Sequence, residues 1–158
     1  MQQDVLGIYL NDHLAGATVG AGLSRHLADR HGRSARASVL KRVADEIAQD
    51  RQSLLMIMDR LGVPVHRYKV LAGWVLERVR RLKPNGVLRR HSGLDTVMEL
   101  ETLRLGVEGK SLLWLTLLAL VPQRTALDPA QLRDLLDRAR TQLDTVEDLR
   151  RKAATAVF

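Results

Sequence analysis

Cysteine is absent from this chain, which removes disulfides, thiolate zinc sites, iron–sulfur clusters and cysteine nucleophiles together. Any metal it holds must therefore sit on oxygen and imidazole. Aromatic residues make up 3% of the sequence and only four prolines occur in 158 residues, too few for the turn-rich, aromatic-rich pattern of a β protein. No Gly-rich loop follows a strand pattern, no nucleophile elbow is present and no His-Glu-x-x-His occurs, so nucleotide-loop, serine-hydrolase and zincin chemistry lack their motifs. The opening MQQDVLGIYL carries no basic segment before an apolar one, so a cytoplasmic address without secretion is expected. The longest apolar run, Leu112 to Val121, is interrupted only by Thr116 and spans about half of what a membrane crossing needs. No membrane partner is expected.

What the chain does contain is leucine, alanine, arginine and valine in helical rhythm. At 46% hydrophobic, one domain over residues 1–158 has ample material for a core. An all-α fold follows. A first helix is expected from about Asp4 to Arg30, with Leu6, Leu10, His13, Ala17, Gly20, Leu23 and Leu27 on one face and Gly32 as its stop. Its middle is rich in small residues (Ala15, Gly16, Ala17, Gly20, Ala21, Gly22), which predicts close approach of another helix backbone. Ser34 is a candidate N-cap for a second helix reaching Leu61, closed by Gly62 and Pro64. A short helix is expected over Arg67 to Leu82. Ser92-Gly93-Leu94-Asp95 then resembles a capping box for a helix to about Leu120, closed by Val121-Pro122. Asp128 followed by Pro129 opens a last helix to about Ala154, with Leu132, Leu136, Ala139, Leu143 and Val146 on its stripe.

Acids intrude on two apolar stripes. Glu46 and Asp50 fall in line with Val39, Val43, Leu54, Ile57 and Leu61, and Glu101 and Glu108 with Leu94, Val97, Leu105 and Leu112. Two long-helix pairs flank a long connection, Val63 to Gly93, that can traverse a bundle, so the second and third long helices can run parallel. With Tyr9, Asp12 and His13 early in the first helix and Glu46 and Glu101 read as inward, the chain resembles the ferritin-like superfamily: a four-helix bundle with one crossover, here carrying an extra short helix.

That resemblance implies a carboxylate-bridged di-iron centre, for which Glu-x-x-His pairs are needed. None exists, because Leu10, Leu23, Ala28, Val63 and Leu88 stand three residues before the five histidines. Three readings stay open. The leading one is a structural or interaction protein without a standard di-iron site and with no cofactor, self-associating as a homo-oligomer such as a dimer. The second is an iron or manganese oxidoreductase whose oxygen-rich ligand set is His13, Glu46, Asp50, Glu101 and Glu108. In the alternative to such a site, those carboxylates pair with Arg or Lys, since an unpaired buried charge is costly.

The third reading comes from charge. Residues 63–93 hold eight basic residues against Glu77, an excess of +7 that equals the net charge of the whole chain; outside them 17 basic residues balance 17 acidic ones. Arg78, Arg80, Arg81, Lys83, Arg89 and Arg90 are thus a candidate anion-binding set for an acidic protein or nucleic acid. No aromatic is interleaved from Val75 to Gly93 for base stacking. The same segment lines up Val70, Leu71, Trp74, Val75 and Val79, which either cover the bundle or form part of a dimer contact.

Overall fold

The computed structural model describes residues 2–66 and 92–158. Four long helices account for most of them: α1 (Gln2–Arg30), α2 (Ala37–Arg60), α3 (Ser92–Leu120) and α4 (Pro129–Val157). The fold is all-α, and the described residues contain no strand. At 29 residues, α1, α3 and α4 are each about 43 Å long at the α-helical rise.

Local chemistry sets most of the ends. Gly62 has the only positive φ among the described residues, 67°, the left-handed stop that a residue without a Cβ adopts at little cost. Asp128 caps α4: its Oδ1 accepts from Ala130 N at 2.9 Å and Gln131 N at 3.3 Å, with Pro129 at the first helical position. Ser34 does not cap α2. Its hydroxyl donates to the His31 carbonyl and accepts from Arg36 N, so it tightens the preceding turn, and the helix opens after Arg36 with no side-chain cap. The short helix expected over Arg67 to Leu82 lies outside the described residues.

Contacts between helices fix their directions. Arg30 meets Glu99 while Tyr9 Oη donates to Thr116, so α1 and α3 are antiparallel. Arg60 meets Gln131 and Glu46 meets Gln142, so α2 and α4 are antiparallel as well. The α1–α2 turn and the α3–α4 turn through Val121–Gln123 make each hairpin antiparallel. It follows that α2 and α3 run the same way, and the two points joined by residues 67–91 lie at opposite ends of the bundle.

The core is leucine-rich. Leu10, Leu27, Leu54, Ile57, Met58, Leu100, Leu103, Trp114, Leu117 and Leu132 are all at most 2% exposed. In α3 the inward face is Val97, Leu100, Leu103, Val107, Leu113, Trp114 and Leu117, a different phase from the stripe expected from sequence. Leu105 is 69% and Leu112 54% exposed, and Glu101, on the same expected stripe, is exposed too. The physical reason is that α3 is apolar nearly all round, so its pattern has no preferred rotation. Residues Gly93–Gln123 are the one described stretch long and apolar enough, by length and composition, to cross a membrane. Lys110, in its middle, is committed to partners on α2 and α4.

The glycines of α1 also differ from expectation. A Cβ built on Gly16, Gly20 or Gly22 meets nothing within 4 Å, and the same holds for Gly106 and Gly109 of α3. No backbone approaches them closely. The tight contact is instead at Gly93, where a Cβ would lie 2.2 Å from Val157 Cγ2. Gly16→Ala and Gly20→Ala should therefore each stabilise the protein in urea denaturation by about 0.5–1 kcal/mol, the helix-propensity difference. A loss of stability would restore the close-approach reading.

Candidate functional site

On α2 the i, i+3, i+4 rhythm of Val43, Ile47, Leu54 and Ile57 carries Asp50 inward, and its side chain is 1% exposed. A lone carboxylate there would cost several kcal/mol. It is not alone. Lys110 Nζ of α3 donates to Asp50 Oδ2 at 2.5 Å and to Gln142 Oε1 of α4 at 2.5 Å. Gln142 Nε2 donates to the same Asp50 oxygen and to Glu46 Oε2, both at 3.1 Å. Arg138, one turn before Gln142, meets Asp50 Oδ1 as an ion pair outside hydrogen-bond alignment, and its Nη1 donates to Gln49. Three helices thus converge on one carboxylate.

Burial pushes the Lys110 ammonium below the ordinary lysine range, and the Asp50 charge and hydrogen bond oppose that shift. A lysine in this position stays useful as a donor only because its carboxylate partner is beside it.

The sequence-derived metal candidates are placed as follows. Glu46 and Asp50 share Gln142. His13 and Asp50 line one cavity. Glu101 is 52% exposed in its side chain and pairs with Arg150 at 3.5 Å, at the end of the bundle where α4 finishes. Glu108 is half-buried. Among the described residues no group of three or more His, Asp or Glu side chains is arranged to hold a metal ion. The anion-binding candidates Arg78, Arg80, Arg81, Lys83, Arg89 and Arg90 lie outside the described residues.

The cavity lies between α1, α2 and α3 and has a volume of about 400 Å³. Gly16, Ala17 and Gly20 of α1 and Gly106 and Gly109 of α3 form part of its wall, which explains the empty space above those glycines. Leu23, Ile47, Leu54, Leu103, Val107 and Leu113 supply most of the apolar surface, while Asp12, His13, Arg51, Thr102 and Lys110 supply polar groups. Trp114 completes the lining; it is 1% exposed, and its indole N–H has no hydrogen-bond partner. The His13 ring stands edge-on to Tyr9 with centroids 4.6 Å apart. Burial lowers its pKa, partly opposed by the Asp12 charge, so the imidazole is neutral at pH 7.

Lys110, Arg138, Gln142 and Trp114 were not singled out by sequence reasoning. Gln142 had a signal: it falls between Ala139 and Val146 on the buried stripe of α4, where a polar residue asks for a partner. Lys110 was masked by the uncertain phase of α3. No protein family, curated protein or solved structure matches the chain, so the chemistry of the site rests on these residues alone.

Two outcomes follow. Asp50→Ala leaves Lys110 buried without its anion and should cost about 3–5 kcal/mol in urea denaturation, whereas Glu101→Ala, at an exposed pair, should cost under about 1 kcal/mol; equal small losses would show that Asp50 is not a keystone. The second concerns pH. His13 and His31 both titrate below the ordinary value of 6.5 when folded, His31 through burial first and then Arg30, Arg36 and His26. Below pH 6.5 the unfolded chain therefore binds protons that the folded chain declines, so stability must fall as pH drops through that window. His13→Gln should flatten the fall, measured as urea midpoint against pH; an unchanged slope would place the titration elsewhere.

Proposed function

We propose that this chain is a ferritin-like bundle serving as a structural or interaction protein rather than as a carboxylate-bridged metal oxidoreductase. One observation carries the reading: the most buried of the candidate ligands, Asp50, is already neutralised by two resident cations, Lys110 and Arg138. A divalent ion at this carboxylate must displace an ammonium held by both Asp50 and Gln142, and would then leave that ammonium buried and unpaired. The parallel run of α2 and α3 supports the one-crossover bundle class, in which the connection between the two hairpins spans the bundle.

The interaction part of the proposal draws on the outer face of α3. Met98, Leu105 and Leu112 recur every seven residues and are 40%, 69% and 54% exposed, with Leu115 at 43% beside them. A stripe of this kind on a helix of a soluble bundle marks an association surface, and self-association as a homodimer is the simplest use of it.

The test is elemental analysis of protein purified from iron- and manganese-supplemented medium, combined with its mass in solution. Less than about 0.1 metal ion per chain, and a dimer that dissociates in Leu105→Ser/Leu112→Ser, are expected. About two ions per chain, lost in Asp50→Ala, would instead establish the oxidoreductase.

A further inference from the structure

The cavity between α1, α2 and α3 goes beyond that reading, and three features of its walls decide what it can hold. The first is size: about 400 Å³ falls in the range of small-molecule sites, roughly 300–1,000 Å³. The second is the glycine set. Gly16, Gly20, Gly106 and Gly109 lie inside long helices, where each costs stability relative to alanine. Among the described residues, no atom stands within 4 Å of a Cβ built on any of them, so close helix packing does not require them. All four border the cavity, and the side chains they lack are part of its open volume.

The third feature is the balance of the lining. Leu23, Ile47, Leu54, Leu103, Val107 and Leu113, all buried, give the cavity an interior of aliphatic carbon. Four charged residues reach it and their signs cancel, Asp12 and Asp50 against Arg51 and Lys110. Asp50 and Lys110 already hold each other, Arg51 donates Nε to Thr18 Oγ1 at 2.9 Å, and the Thr102 hydroxyl donates to the Met98 carbonyl. His13 is neutral at pH 7 because burial lowers its pKa. A guest bearing a charge of either sign would give up its hydration for walls that hold no net counter-charge. A guest without charge removes only apolar surface from water, which is favourable.

We infer that this cavity binds a small uncharged apolar molecule, seated between the glycine-bearing faces of α1 and α3 and against the buried leucines. The selectivity that follows is for charge state, neutral over anion and cation alike.

Isothermal titration of the full chain at pH 7 with octan-1-ol, octanoate and octylamine tests this, since the three share one chain length and carry no charge, a negative charge and a positive charge. One octan-1-ol per chain is expected with a Kd of about 1 mM or tighter, and both ions should be weaker by at least about tenfold. Gly20→Leu and Gly109→Leu, on the two facing walls, should each weaken octan-1-ol by at least about tenfold without lowering the melting temperature, because leucine is the better helix former. Should one of them fail to fold, the other decides. Leu105→Ser/Leu112→Ser, on the outer face, should leave binding unchanged. The inference is overturned by an absence of heat at about 1 mM octan-1-ol, by either ion binding as tightly as the alcohol, by binding that survives the glycine variants, or by loss of binding in the outer-face variant.

Discussion

The buried carboxylate of Asp50 is the constraint on which the arrangement of three helices depends. It is fixed to the inward face of α2 by the apolar residues on either side of it, and it must be neutralised from elsewhere. Lys110 on α3 and Arg138 with Gln142 on α4 do this. The consequence reaches beyond local pairing. Because apolar residues are spread around α3, burial alone sets its rotation only weakly. Only one rotation delivers Lys110 to Asp50, and missing that pair costs about 3–5 kcal/mol. The pairing of Lys110 with Asp50 adds to burial in setting the face that α3 turns inward, and Leu105 and Leu112 are left outside.

This ordering of energies also explains what the sequence discloses. Where one face is apolar and the other charged, as in α2 and α4, the stripe correctly identifies the buried residues: Val43, Leu54 and Ile57 on α2, and Leu132, Leu136, Ala139 and Val146 on α4. The inward placement of Asp50 is legible for the same reason. Ends governed by local chemistry are legible too, as at Gly62 and at Asp128 before Pro129. In α3 periodicity carries little information, so Glu101 is read as inward when it stands in solvent with Arg150. The partners of Asp50 lie far along the chain, and no spacing rule connects residues brought together only by tertiary packing. Pairing of inward acids with Lys or Arg is an available reading of the sequence; which cations do so is not.

The helix glycines show the same limit from another side. A small residue inside a helix is compatible with a close backbone or with an empty volume, and the sequence is identical in the two cases. Gly93, one residue into α3, is the close contact, whereas Gly16 and Gly20 border a cavity. What separates them is the neighbouring helix, and in particular the rotation of α3, since Gly106 and Gly109 face the α1 glycines only in the rotation that also seats Lys110. The ion network and the cavity are therefore two results of one choice.

That link bears on what the interior can do. Four helix glycines at about 0.5–1 kcal/mol each, together with a buried charge cluster that well-packed apolar residues of similar volume could replace without loss or with gain, are expensive features for a domain whose total stability is expected at about 5–15 kcal/mol. A bundle shaped for stability alone would fill the cavity with larger side chains and replace the ions with leucine. In this one the charges lie beside an open volume, and Lys110 belongs to both. The same residue that pairs with Asp50 also lines the cavity, so the ion network and the open volume share one wall.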